Sequence, residues 1–365
     1  MHVVRAVICG VALSLASPVD ANAQAKPIGV LFAVGDIAEC PNPKDAPPKT
    51  PEAQAKLDAR TGKATADLIN RQMKKVKDQY PDMEIRVLAL GDLAYDCGAT
   101  SAFNCFDKTW GQFKSIILPV PGNHEYDHKK GNAPGDKCVL KGEPKLKAQW
   151  HAKPYFAYFS YHELAKHEQS FYSLRFPNQD KDAWLLVGLN LNISFNPDTL
   201  KALLSKDEHK NTRCVLAFAH ANLYSSGYHG HNDSKEPTAL LVRAKADSRL
   251  AKAFDTLYNA RASVMVAGHE HSYEQLGPAN ARGAIADLGA SAMVEDGVRS
   301  FIVGTGGTNF YPYPYNHVWK FQEAYDFKNH GVLKIELYPT SYKWSFITIG
   351  DELKYPGGAD CNPRP

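Results

Sequence analysis

Arg86-Val87-Leu88-Ala89-Leu90-Gly91-Asp92-Leu93-Ala94-Tyr95 is the stretch from which the rest of the chain is read. Val87 to Leu90 form an unbroken apolar run, the pattern of a strand covered on both faces. Gly91 ends it. Asp92 then stands at the carboxyl end of the strand, the edge where open α/β sheets bind ligands. Tyr95, three residues on, adds a phenol. A carboxylate on such an edge can bridge two cations, provided other strand ends supply further donors.

Upstream, Ile28 to Val34 is a first apolar strand, ended by Gly35-Asp36. A Pro-rich loop (Pro41 to Pro51) precedes a helix expected from Glu52 to Gln79, where Ala64, Leu68, Ile69 and Met73 recur at helical spacing and Pro81 closes the segment. Two strands that each end in Gly-Asp, joined by a helix, make a βαβ unit with both carboxylates on one edge. Downstream, a short helix is expected at Trp110 to Phe113 and a short strand at Ile116 to Pro119, leading into Val120-Pro121-Gly122-Asn123-His124-Glu125. Tyr126 to Glu168 lack clean periodicity and read as a long excursion, the kind of loop that covers a site. Phe171–Phe176 and Trp184–Leu189 read as paired strands. Leu200 to Leu204 belong to a short helix, and Val215–Ala219 is a buried strand that delivers His220. Thr238 to Tyr258 read as helical, and Val264–Ala267 runs into Gly268-His269-Glu270-His271. Phe301–Val303, Val332–Tyr338 and Ser341–Ile349 are late strands, the last two a hairpin around Pro339-Thr340.

The 365 residues are 44% hydrophobic, enough for one large core or two modest ones. A net charge of +3 gives no basic footprint for nucleic acid. Met1 to Arg5 is short and basic, Ala6 to Ala16 is apolar, and Ala21-Asn22-Ala23 offers small residues for cleavage. This reads as a secretory signal over residues 1–23, too short to span a bilayer, followed by a single domain over 24–365 with a Pro/Gly-rich carboxyl-terminal tail. A secreted or periplasmic location follows. Of the seven cysteines, Cys9 lies in the leader; Cys40, Cys97, Cys105, Cys138, Cys214 and Cys361 remain. An even count in an oxidising compartment suggests disulfides, and the absence of Cys-x-x-Cys argues against a thiolate zinc site. Cys40, Cys97 and Cys105 are expected to staple the loops beyond the strands, and Cys361 to tie down the tail.

Collected at strand ends are Asp36, Asp92, Tyr95, Asn123, His220, His269 and His271. All are oxygen or imidazole donors, a mixture that suits zinc, manganese or iron better than calcium or magnesium. Seven donors with one bridging carboxylate match a two-metal site with ions roughly 3.5–4 Å apart. Taken singly, Asp36 and Asp92 would serve as helix caps, Tyr95 as a packing aromatic, Asn123 as a turn residue and His220 as a buried histidine. Chance would have to place all seven at strand ends together. His128, His209, His317 and His330 read as surface residues, and His151, His162 and His167 as solvated. Gly304-Thr305-Gly306-Gly307 lacks the spacing of a nucleotide loop and reads as a turn near the site. The aromatic run Phe310 to Tyr315 either walls a pocket or packs as a loop.

Five blocks in this order (Gly35-Asp36, Gly91-Asp92-Leu93-Ala94-Tyr95, Gly122-Asn123-His124-Glu125, His220 and Gly268-His269-Glu270-His271) resemble the metallophosphoesterase superfamily, and within it the purple acid phosphatase group of the bacterial secreted type. Most of that superfamily carries Asp-x-His in the first block. Here the triplet is Asp36-Ile37-Ala38, and Tyr95 stands where the purple phosphatases place a phenolate. The resemblance implies a calcineurin-like α/β fold, a two-sheet β-sandwich flanked by helices. It implies a first metal, Fe(III), held by Asp36, Asp92, Tyr95 and His271. A second, divalent ion (Zn, Fe or Mn) would be held by Asp92, Asn123, His220 and His269. His124 and His229 are the implied catalytic residues, contacting phosphate or protonating the leaving group, with Glu125 a candidate orienting partner for His124. The neighbour that some members use as general acid is Gly230 here, which leaves His124, His229 and His231 as candidates.

The expected activity is that of a secreted dinuclear-metal phosphatase acting on a small phosphorylated substrate. Metal-activated hydroxide would attack a phosphomonoester, with charge neutralisation by the ions supplying most of the acceleration. The alternatives are a phosphodiesterase or nucleotidase on the same two-metal site, or a non-catalytic secreted binding protein with this fold.

Overall fold

The computed structural model describes residues 25–39, 47–95, 98–126, 152–162, 171–178, 180–193, 195–209, 211–231, 248–281, 293–311 and 318–364. In chain order the strands are β1 Gly29–Val34, β2 Ala38–Glu39, β3 Glu84–Leu90, β4 Ala94–Tyr95, β5 Ile117–Val120, β6 Phe171–Phe176, β7 Trp184–Leu189, β8 Val215–Ala219, β9 Val264–Ala267, β10 Tyr273–Ala279, β11 Val298–Val303, β12 Gln322–Asp326, β13 Gly331–Leu337, β14 Ser341–Thr348 and β15 Leu353–Asp360. The helices are α1 Pro51–Arg60, α2 Lys63–Gln79, α3 Thr100–Trp110, α4 Lys153–Tyr158, α5 Pro197–Leu204, α6 Tyr228–His231 and α7 Ser248–Asn259.

Among the described residues these strands form two large mixed sheets, in the orders β15-β14-β13-β1-β3-β5 and β12-β10-β11-β9-β8-β7-β6, and a short parallel pair, β2-β4. The sheets pack on one another, as the sequence reading expects. Period-2 alternation decides which face of the second sheet meets the first. Leu186, Leu216, Phe218, Val264, Val266, Phe301 and Val303 join the cluster built on β1, β3, β13 and β14. Their neighbours Leu185, Val187, Leu189, Val215, Ala217 and Met265 point the other way, onto Leu200 and Leu204 of α5 and Phe254 and Leu257 of α7. Each such large side chain buried contributes about 2 kcal/mol. On the first sheet, α2 buries Ala66, Leu68, Ile69 and Val76.

The topology sets the site. β1, β3 and β5 run parallel, with Ala33 opposite Leu88 and Leu90 opposite Val120. β7, β8 and β9 run parallel in the second sheet. The carboxyl ends of β1, β3, β5, β8 and β9 therefore release Asp36, Asp92, Asn123, His220 and His269 towards one another.

Several expectations change. The helix expected from Glu52 to Gln79 is two helices, because Gly62 turns the chain at φ 71° between α1 and α2. The short helix at Trp110 to Phe113 is the end of a longer one: α3 starts at Thr100 and buries Phe103, Phe106 and Trp110, and a 3-10 turn follows over Gly111–Phe113. The carboxyl-terminal tail is an edge strand, β15, paired antiparallel to β14. His209 is buried against Ser173 rather than exposed, His330 stacks on Phe310, and His162 meets the Ile117 carbonyl. The leader, Cys9, Cys40, Cys97, Cys138, His128, His151, His167, His317 and residues 238–247 of the expected helix lie outside the described residues. Cys361 pairs with Cys214, and Cys105 is also disulfide-bonded. Among the described residues no helix is long and apolar enough to cross a membrane.

Candidate metal centre

All seven donors singled out in the sequence meet in one cluster at the carboxyl ends of the strands, with Asp36, Asp92, Tyr95, His220 and His271 buried, His269 half-buried and Asn123 exposed. The Tyr95 hydroxyl lies 2.9 Å from Asp36 Oδ1, 3.1 Å from Asp92 Oδ2 and 3.2 Å from His271 Nε2. On the other side of Asp92, Oδ2 is 3.3 Å from His220 Nε2. That nitrogen is in turn 2.9 Å from Asn123 Oδ1 and 3.1 Å from His269 Nδ1. One atom of each of Asp92, His220 and His269 falls within a 4.8 Å group able to hold a cation. The donors thus divide into Asp36, Asp92, Tyr95 and His271 on one side and Asp92, Asn123, His220 and His269 on the other, with Asp92 Oδ2 between them.

Local backbone geometry aims these groups. Asp36, Asp92 and His269 follow Gly35, Gly91 and Gly268 and all adopt left-handed backbone, at φ 60°, 48° and 73°. The turn after β1 is laced to the turn after β3 by Asp36 N to Gly91 O (3.0 Å) and Ile37 N to Asp92 O (3.0 Å), and the β2–β4 pairing continues that register to Tyr95. The backbone N–H of His269 donates to Asp36 Oδ2 (2.8 Å), tying the second sheet to the first. Gly122 is required by close approach: a Cβ there would stand 2.1 Å from Asp92 Oδ1.

The tautomers are set by carbonyls, which only accept. His220 Nδ1 donates to Leu90 O (2.9 Å) and His271 Nδ1 donates to Asn309 O (2.7 Å), so each presents Nε2 to the cluster. Metal-binding histidines are held in this way, by a second partner on the far nitrogen.

The charges call for a cation. Burial opposes the charged imidazole of His220, but Asp92 and Asp36 outweigh it and push the group up to about 9. Burial likewise works against the Asp92 anion, yet His220 and His124 hold it well below the usual carboxylate range. Burial and then the carboxylates of Asp36 and Asp92 drive the Tyr95 phenol well above its ordinary value. A phenolate here requires compensating positive charge, and a donor set of carboxylate, phenol, amide and imidazole fits zinc, manganese or iron. The residues present fit a pair of such ions.

Around the cluster, His124 packs its ring on Tyr95 at 4.5 Å between centroids, with Nε2 3.9 Å from Asp92 Oδ2. His229 stacks on His269 at 4.2 Å, and Tyr311 stacks on His271 at 4.1 Å and meets His229 edge-on. Tyr311 therefore faces the site, while 312–317 and the side chain of His231 lie outside the described residues. The Gly304 to Gly307 turn packs by Gly306 N on Gly35 O (3.0 Å). Glu125, read as a partner of His124, instead accepts from the backbone N–H groups of Asp92, Leu93, Ala94 and Gly122 at 2.7–3.2 Å. Burial and Asp92 push it up to about 7. The sequence reading missed that role. The signal available was Glu three residues after Gly122, close enough to fold back on its own turn.

A family profile described as calcineurin-like phosphoesterase matches residues 61–273, more than half of the chain. The match includes every candidate donor except Asp36. Among solved structures, the chain is similar to a purple acid phosphatase from yellow lupin (Lupinus luteus) seeds, at 15% identity and a TM-score of 0.57, covering 92% of this chain and 54% of that one. It thus spans about half the length of the lupin protein. It is also similar to GAP50 of Plasmodium, titled the anchor in the inner membrane complex, at 13% identity and a TM-score of 0.52, covering 93% and 90%. At such identities the likeness is one of fold. A search of curated proteins finds no significant match.

Proposed function

Because the chain belongs to the calcineurin-like phosphoesterase family, we propose that it hydrolyses phosphate monoesters at a two-metal centre built from Asp36, Asp92, Tyr95, Asn123, His220, His269 and His271. One observation carries the reading: Asp92 Oδ2 stands between two donor groups, 3.1 Å from the Tyr95 hydroxyl and 3.3 Å from His220 Nε2. Asp36, Asp92, Tyr95 and His271 would hold one ion, and Asp92, Asn123, His220 and His269 the other. The Tyr95 phenol favours a trivalent ion at the first position, hence Fe(III), with a divalent ion (Zn, Fe or Mn) at the second. Bound there, the ions lower the pKa of water and offset charge on the phosphoryl oxygens.

The chain's own residues do the rest. Asp92 and Asp36 would supply the negative charge to hold the cations. His220 and His271, fixed through their Nδ1 atoms, keep Nε2 aimed inward. His124 and His229, at the mouth, are placed to donate hydrogen bonds to a phosphate and to hand a proton to the departing alkoxide. The same reading has the protein act outside the cytoplasm once residues 1–23 are removed. The basic, apolar and small-residue order of that segment supports this, as does the Cys214–Cys361 disulfide.

The test is metal stoichiometry on the purified mature protein, together with turnover of nitrophenyl phosphate and of bis(nitrophenyl) phosphate. Two ions per chain and faster monoester turnover are expected. Faster diester turnover would make it a phosphodiesterase, and absence of both metal and turnover would make it a binding protein. With Fe(III) bound, a visible phenolate-to-iron band is expected, and Tyr95→Phe should abolish it.

A further inference from the structure

Glu270 lies in the turn between β9 and β10, flanked by His269 and His271, and its side chain reaches towards His229. It does not enter solvent there. It is 3% exposed at the side chain, and its Oε2 lies 3.5 Å from His229 Nδ1. The chain passes directly over this carboxylate: a Cβ on Gly227 would stand 2.5 Å from Glu270 Oε2 and would displace it. The crossing segment is anchored on both sides. Ser226 N donates to Glu274 at 3.0 Å, Gly227 N to Ser225 Oγ at 2.8 Å, and Trp319 donates from N to Ser226 Oγ at 3.2 Å and from Nε1 to Ser225 O at 3.0 Å. The imidazole of His229 is thereby packed on the face of His269 and the edge of Tyr311, with the Glu270 carboxylate facing Nδ1 at a distance and angle outside hydrogen-bond geometry.

We propose that Glu270 is a positioning residue for His229: its carboxylate takes the Nδ1 side of the imidazole and leaves Nε2 to meet the phosphate at the metal centre. The inference rests on the phosphatase reading above. A histidine whose far nitrogen faces a carboxylate has one tautomer and one ring orientation, the arrangement that fixes functional imidazoles generally. Without Glu270, a half-turn about Cβ–Cγ would put Cε1 where Nε2 stands, and the proton would be shared between the two nitrogens, so His229 would present an unprotonated Nε2 only part of the time. The bland account is that Glu270 merely braces the 225–229 turn. The two accounts differ in what happens once His229 is gone.

The experiment compares wild type, Glu270→Gln, His229→Ala and the double variant, each purified with its metals. It reads kcat and KM for nitrophenyl phosphate, metal content, and the imidazole tautomer of His229 by nitrogen NMR on zinc-loaded protein. Glu270→Gln is expected to lower kcat about tenfold with unchanged metal content, the usual size of effect for an orienting partner. In the His229→Ala background the same change should alter kcat less than twofold, since a residue acting through another is non-additive with it. The NMR spectrum should show the Nδ1–H form of His229 in wild type and a mixture in Glu270→Gln. Wild-type kinetics in Glu270→Gln, additive losses in the double variant, or loss of bound metal would each overturn the proposal. If wild type itself turns over neither ester, the phosphatase reading fails, and the tautomer alone decides whether Glu270 orients His229.

Discussion

Asp36, Asp92 and His269 hold left-handed backbone that a residue with a Cβ adopts at a cost of about 1 kcal/mol or more each. The strain persists because hydrogen bonds fasten each turn, and it turns the side chain out of the strand's alternation towards the cluster. Glu125 is the largest of these fasteners, with four backbone donors on one buried carboxylate. Glu125→Ala leaves those N–H groups without acceptors, and a loss of about 3 kcal/mol or more in denaturant unfolding is expected. Asn123 acts locally. Its Oδ1 meets His220 Nε2 and lies in the second donor group, so Asn123→Ala should weaken the second ion more than the first in a two-step chelator titration. Equal loss of both ions would contradict that partition. The donors themselves were legible in the sequence because each follows an apolar run, which fixes its place at a strand end. Glu125 and Glu270 were not, because their work depends on which backbone crosses them, and no local pattern encodes that.

At the level of elements, β10 and the turn before it carry two buried carboxylates, Glu270 and Glu274, beside His269 and His271. Glu274, fully buried, accepts from Ser226 N, Ser225 Oγ and Gln322 Nε2. Burial is the main cause that pushes it up to about 7 from an ordinary 4.5. A raised carboxyl means that the folded chain binds the proton more tightly than the unfolded one. Its contribution to stability is therefore full below pH 4.5 and is lost as pH rises through about 7. Between those limits it lowers unfolding free energy by about 1 kcal/mol per pH unit. Glu274→Gln should remove that slope, read as the wild-type minus variant difference in urea unfolding from pH 5 to 6.5; parallel curves would exclude it. Strand β10 went unread because Gly277 and Pro278 break its apolar pattern, and β12 and β15 because they lie at sheet edges and alternate weakly. The α1–α2 break was written as Thr61-Gly62, but helical spacing on both sides masked it. In α3, Phe103, Phe106 and Trp110 do recur at helical spacing, and Cys105, expected in a loop beyond a strand, lies inside this helix.

Across the whole molecule, the candidate metal centre is divided between the two large sheets. The first delivers Asp36, Asp92 and Asn123, with Tyr95 on the short β2–β4 pair beside it, and the second delivers His220, His269 and His271, so the cluster exists only while the sheets stay in register. The carboxyl-terminal segment is built to keep them there. Leaving the edge of the first sheet at β15, it pairs Cys361 with Cys214 at the foot of β8 in the second, across a sequence separation of 147. Asn362 then donates to the carbonyls of Ala262, Asp296 and Gly297, and Arg364 to those of His209 and Leu204. Closing so long a loop removes chain entropy from the unfolded state worth about 4–5 kcal/mol. A Cys214→Ser/Cys361→Ser variant should lose about that much in urea unfolding. Its folded form should keep the same metal content, since neither cysteine touches a donor. Reduction opens the Cys105 bridge in both proteins alike, so reduced wild type and reduced variant should unfold together. If a gap of more than 1 kcal/mol survives reduction, packing at Cys214 rather than the tether carries the stabilisation, and the sheets are held in register by their shared core alone.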